Sequence, residues 1–204
     1  AALEQERARE VAAVEAARRE REQALAAVNA QLRTQGAALD RARRDAATLE
    51  KLVADLRRAL QQAPPPAPGG QPFARVQGRL PWPVAGGVVA RFGQPRGGGL
   101  KWNGVLIATE RGTQVRAPYA GRIAYADWLP GLGLLVILDH GGGYMTLYGH
   151  NEQIYRSVGE AVAAGDVIAS VGDSGGQSRP ELYVEVRRGV VAQDPHAWFR
   201  RGGP

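Results

Sequence analysis

Apolar residues recur at alternating spacings of three and four over the first third of the chain, then give way to short apolar runs cut by glycine. With Val11 at position a of a heptad, the a series is Val11, Arg18, Leu25, Leu32, Leu39, Ala46, Val53 and Leu60. The d series is Val14, Arg21, Val28, Gln35, Ala42, Leu49 and Leu56. Twelve of these fifteen positions are apolar and the register never slips, which predicts one coiled-coil helix over 1–62. Its seam is Val11, Val14, Leu25, Val28, Leu32, Leu39, Leu49, Val53, Leu56 and Leu60, and Arg18, Arg21 and Gln35 would fix register at some cost in stability. A helix of that length is ~90 Å long and cannot bury its own seam. It therefore calls for a partner helix from an upstream segment, a second copy or another protein; the plain alternative is a solvated spacer.

The run Ala63-Pro64-Pro65-Pro66-Ala67-Pro68-Gly69-Gly70 reads as a stiff polyproline linker with a Gly pair, and the segment 63–72 separates the helix from a second domain. Over 73–204, β-type runs appear at Val88–Phe92, Val105–Ala108, Gln114–Ala117, Arg122–Ala126, Leu134–Leu138, Tyr144–Tyr148, Val167–Val171 and Leu182–Arg187. Glycine-rich turns separate them, with no helical period between, so the second domain is expected to be antiparallel and all-β. Asp139-His140-Gly141-Gly142-Gly143 should close a hairpin between two of these strands. The fold class is thus α+β and multi-domain: a coiled-coil helix and a C-terminal β-domain.

Composition sharpens this division. Residues 1–62 hold one of the 27 glycines, Gly36, and none of the 13 prolines, whereas the aromatics all lie beyond them. The net charge is +6, from 26 basic and 20 acidic side chains, but the charges are interspersed along the helix and scattered over the β-domain. No basic platform interleaved with aromatics is visible, so nucleic acid is not an expected partner. Zero cysteines exclude a disulfide framework, a thiolate metal site and a Cys nucleophile. No apolar run approaches the ~20 residues of a membrane span.

Candidate chemistry is sparse. The three histidines, His140, His150 and His196, show no H-x-H or H-x-x-x-H pairing. On the expected hairpin, His140 and His150 would stand ~20 Å apart, too far to share a metal. Gly172-Asp173-Ser174-Gly175-Gly176 spells a trypsin-type nucleophile loop. The β-domain is too short for a two-barrel protease, however, and these are ordinary turn residues. No cofactor is expected.

A longer run of motifs points elsewhere. It comprises Lys101-Trp102-Asn103-Gly104-Val105-Leu106-Ile107, Gly112-Thr113-Gln114-Val115-Arg116-Ala117, Leu147-Tyr148-Gly149-His150, Gly172-Asp173-Ser174-Gly175-Gly176, Glu181-Leu182-Tyr183-Val184-Glu185-Val186-Arg187 and Asp194-Pro195. Over about 80–200 this order resembles the LytM/lysostaphin-type zinc peptidase domain, whose fold is a duplicated-hybrid-motif-like antiparallel β-domain. Active members carry H-x-G-x-D and H-x-H. Here those motifs read Trp102-Asn103-Gly104-Val105-Leu106 and Glu181-Leu182-Tyr183. The resemblance thus implies that all three zinc ligands are replaced, at Trp102, Leu106 and Tyr183, that a catalytic His has become Glu181, and that His150 survives. An indole, an isobutyl group and a phenol cannot stand in for two imidazoles and a carboxylate, so peptidase activity is not expected.

The degenerate pattern behind a coiled coil is similar to the EnvC-type murein hydrolase activators. That resemblance implies a periplasmic protein whose coiled coil docks on a division-associated ABC-transporter-like complex. Its β-domain would bind and activate periplasmic N-acetylmuramoyl-L-alanine amidases. The expected partner-binding groove is Trp102, Asn103, Leu106, Leu132, Leu135, His150, Glu181, Tyr183, Glu185 and Arg187. Strand alternation supports this: Leu182, Val184 and Val186 suit a core, while Glu181, Tyr183, Glu185 and Arg187 face the other way as a surface rich in hot-spot residue types. Trp102 and Tyr183 could instead fill the hole left by zinc. Part of residues 1–80 could also cover the groove, although no separate amphipathic helix stands between Gln62 and Leu80. The rival reading is a structural module whose groove holds peptidoglycan.

Overall fold

The computed structural model describes residues 2–62, 71–97 and 99–204. The polyproline run expected as a linker lies outside them, apart from Gln71 and Pro72. Helix α1 spans Ala2–Gln62. The chain forms two compact units, Ala1–Ala42 and Arg43–Pro204. In the first, the seam residues Val11, Val14, Leu25, Val28 and Leu32 are all more than half exposed. The second joins the last turns of α1 to the β-domain.

All eight expected strands form. They are β1 (Gly87–Ala90), β4 (Val105–Ala108), β5 (Gln114–Arg116), β6 (Gly121–Leu129), β7 (Gly133–Asp139), β8 (Tyr144–Ile154), β10 (Val167–Val171) and β11 (Glu181–Arg188). Four short strands escaped the pattern: β2 (Pro95–Gly97), β3 (Leu100–Lys101), β9 (Ala161–Val162) and β12 (Val191–Gln193). At two or three residues each, they are too short to show alternation. The main sheet runs β1-β4-β11-β8-β7-β6-β9, with β12 beside β11, and β10 joining β8 to β5; β2 and β3 pair separately. Every pairing of named strands is antiparallel. The Asp139–Gly143 stretch turns β7 into β8, as its glycines indicate; Gly141, Gly142 and Gly143 all have positive φ.

β11 sits between β4 and β8 and divides two cores. Leu182, Val184 and Val186 enter one with Val105, Ile107, Val136, Tyr148 and Phe199. The opposite face of the sheet, with Leu106, Leu135, Ile137, Leu147 and Tyr183, packs against Leu49 and Val53 of α1, flanked by Leu52, Leu56 and Leu60. These helix positions fall at i, i+3, i+4, i+7 and i+11, a stripe fit for a flat apolar face. The seam therefore has two fates: Val11–Leu32 stays exposed, whereas Leu49 and Val53 are buried against the sheet within their own chain.

Close approach is strict at Gly104, where a Cβ would lie 2.3 Å from the Val184 carbonyl and 3.0 Å from the Tyr183 ring. Gly104→Ala is expected to lower unfolding stability by about 1–3 kcal/mol through overpacking, read as a shift in urea midpoint with the slope unchanged.

Candidate functional site: a groove covered by its own helix

Strands β4, β11, β8 and β7 bring most of the expected groove residues to one face. Leu106 is the register partner of Tyr183, and Tyr183 also pairs with Gly149, next to His150. Trp102 precedes β4; its backbone exchanges hydrogen bonds with Gly93 and Gln94, and its ring lies 6.2 Å from that of Tyr183. Leu132 sits in the β6–β7 turn, where its carbonyl accepts from the His150 N–H at 2.7 Å. Asn103 is exposed and Trp102 half-buried. Leu106, Leu132, Leu135, His150, Glu181, Tyr183, Glu185 and Arg187 are all buried.

That burial corrects one expectation. The odd-numbered face of β11 is not an open surface, because α1 lies over it. The covering segment is the end of the heptad helix itself rather than a separate helix between Gln62 and Leu80. The turn after β6 presses so closely on α1 that a Cβ at Gly131 would lie 2.6 Å from that of Asp45. A signal for this was present in the sequence. Leu52 occupies a g position, widening the narrow a/d seam into the broader stripe of a helix packed on a globular core.

A polar relay runs along the groove floor beneath the apolar contacts. The Tyr183 hydroxyl donates to Glu185 Oε2 at 2.7 Å. Glu185 Oε1 lies 2.9 Å from Arg187 Nη1, out of hydrogen-bond alignment. Arg187 Nη2 donates to both carboxylate oxygens of Glu50 on α1, at 2.8 and 2.7 Å, and to the Val190 carbonyl at 2.6 Å. Burial pushes the Glu185 carboxyl up from 4.5 to about 7, partly offset by Arg187 and the Tyr183 hydroxyl. Burial, with Glu185 alongside, holds the Tyr183 phenol protonated well above its ordinary range. Glu50 was not anticipated; it occupies an e position, which in a coiled coil makes interhelical ion pairs and here reaches the sheet.

His150 is fixed from every side. Its Nδ1 faces the Ser174 carbonyl at 2.8 Å, so that nitrogen carries the proton, and Nε2 accepts from the Gln177 amide at 3.1 Å. Burial lowers its pKa to about 4, with the nearby Arg96 charge adding to the effect. It is also the one non-glycine residue with positive φ, 64°, among the described residues. Arg96 stacks over Trp102 at 4.2 Å, and Arg179 pairs with Glu181. Ser174 is structural: its hydroxyl donates to the Asn151 carbonyl at 2.6 Å and accepts from the Leu134 N–H at 3.0 Å, away from any base.

The zinc ion of the resembled peptidases does not fit these residues. The ligand positions present an indole, an isobutyl group and a phenol that keeps its proton to donate to Glu185. Among the described residues no group of three or more His, Asp or Glu side chains is placed to hold a metal.

Residues 100–195 match the model of Peptidase family M23. The chain is 47% identical over 135 residues to the protein named Murein hydrolase activator EnvC of Escherichia coli (strain K12), covering 66% of this chain and 30% of that protein. It is 32% identical over 123 residues to Cell division protein DipM of Caulobacter vibrioides, covering 60% of this chain and 20% of that protein. The chain thus spans less than a third of either relative's length. A crystal structure of a putative peptidase M23 from Pseudomonas aeruginosa shares the fold, with a TM-score of 0.57 at 24% identity over 76% of this chain and 63% of that one.

Glu185 gives stability a recognisable pH signature. The unfolded chain ionises it above 4.5, whereas the folded protein keeps the proton up to about 7, so this carboxyl's contribution is full below 4.5 and is lost as pH rises to about 7. His150 and His140, both lowered to about 4 by burial, act oppositely, their contribution being lost as pH falls from 6.5 to about 4. Glu185→Gln isolates the first effect. The unfolding free energy of the unaltered protein minus that of the variant should fall between about pH 5 and about pH 8; a constant difference would mean that Glu185 titrates normally.

Proposed function

Starting from the fact that this chain carries a domain of peptidase family M23, we propose that it is a non-catalytic activator of periplasmic N-acetylmuramoyl-L-alanine amidases that split septal peptidoglycan. The observation that carries the reading is the helix seated on the former catalytic floor. A face that has exchanged metal ligands for Trp102, Leu106 and Tyr183, and that buries Leu49 and Val53, is chemically a receptor for an amphipathic helix. The amidase supplies the competing helix, and α1 holds the face closed until its own partner draws it away. The exposed seam Val11–Leu32 suits docking on a division-associated ABC-transporter-like complex. A periplasmic setting accords with that role; no described helix is long and apolar enough to cross a membrane. Peptidoglycan binding in the groove is the less favoured reading, because it needs an open cleft where α1 lies.

Dye release from labelled murein by a periplasmic amidase, with and without this protein, tests the proposal. Stimulation, with no digestion by the protein alone, is expected. Digestion by the protein alone would restore the peptidase reading, and sedimentation with murein without stimulation would favour the structural module.

Closure by α1 has its own consequence. Leu49→Asp or Val53→Asp places a charge in the buried stripe and should raise stimulation roughly tenfold or more at sub-saturating concentration, by shifting the population toward the uncovered groove. Tyr183→Ala and Arg187→Ala should abolish stimulation. Both side chains are buried, so urea unfolding of the same samples separates loss of the binding face from loss of the fold.

A further inference from the structure

We infer that the helix which replaces α1 in the groove brings a carboxylate of its own to Arg187, at the place Glu50 now occupies. The inference rests on the activator reading and specifies the partner's chemistry.

Arg187 is the largest fully buried side chain among the described residues, 1% exposed, while the side chain of Glu50 above it is 45% exposed. The sheet alone does not satisfy this guanidinium. Its Nε has no hydrogen-bond partner, and its Nη1 lies 2.9 Å from Glu185 Oε1 as an ion pair out of hydrogen-bond alignment, while the other Glu185 oxygen accepts from the Tyr183 hydroxyl. Nη2 finds one sheet acceptor, the Val190 carbonyl, and takes both oxygens of Glu50 from the helix. When α1 leaves, water can solvate Arg187. When a second apolar helix closes the same face, that water is expelled again, and a helix with no acceptor at this position leaves a buried cation short of partners.

The part of the floor that packs with the stripe is apolar and includes Leu106, Leu132, Leu135 and Leu147. The segment 49–56 is therefore a template of the ligand: apolar residues at the places of Leu49, Leu52, Val53 and Leu56, and an acid directly after the first. A lysine at the acid's place would meet Arg187 with like charge, so the same group that favours the acidic helix rejects basic ones.

The test uses the full chain carrying Val53→Asp, which uncovers the groove, or Leu56→Asp at a half-buried position should the first variant not fold. Twenty-residue synthetic peptides tiled through an amidase that the protein stimulates are titrated against it by fluorescence polarisation. A peptide with the template pattern should bind. Changing its acid to Gln should weaken binding about tenfold or more, in line with a hydrogen-bonded charge; changing it to Lys should weaken binding further. The Gln penalty should shrink several-fold on protein that also carries Arg187→Gln, because the two changes remove one interaction. A bound peptide without an acid in that register, or a Gln penalty unaltered by Arg187→Gln, overturns the inference and leaves the activator reading standing. Stimulation with no peptide bound does the same. Absence of stimulation by the unaltered protein overturns both.

Discussion

The contact between the apolar stripe of α1 and the second face of the sheet governs most of what this molecule can do. A sheet in an all-β domain can leave one face to solvent; this one carries Leu106, Leu135, Ile137, Leu147 and Tyr183 on the face opposite its main core. That much apolar area must be covered, and Leu49 and Val53 cover it with their neighbours Leu52, Leu56 and Leu60. The same contact buries Arg187, brings Glu50 to it and isolates Glu185 from water, so the electrostatics of the groove are a consequence of the packing.

Backbone contacts hold the floor of the groove in place. Gly104 still lets β4 approach β11, and His150 keeps its positive φ because the Leu132 and Gly172 backbones hold it on both sides. On that floor Arg96 is stacked on Trp102, and Tyr183 is tied to Glu185. The strongest polar link from the floor leads along β11 to the helix. Occupancy of the groove and the state of its buried charges are therefore coupled through neighbouring residues of one strand.

Several features were legible along the chain. The heptad register of 11–60 gave the helix, and the glycine-separated apolar runs gave eight of the strands, because period and turn chemistry are local properties. The order of motifs marked Trp102, Leu106 and Tyr183 as the positions where the resemblance implies zinc ligands. The short strands β2, β3, β9 and β12 were not legible, since their pairing is imposed by neighbours rather than by alternation. Nor was the setting of the Gly172–Gly176 loop: its resemblance to a nucleophile turn is resolved by Ser174 bonding the Asn151 and Leu134 backbones.

The sequence by itself determined the elements and the two faces of β11, because each depends on residue type and spacing alone. Only the tertiary structure decided what covers the odd-numbered face. The a and d positions of α1 have the same local chemistry from Val11 to Leu60, and apart from Leu52 at a g position nothing in that repeat marks which turns meet the sheet. That choice was made where the flat apolar face, the close turn at Gly131 and the buried Arg187 coincide in space, a conjunction of residues far apart in the chain.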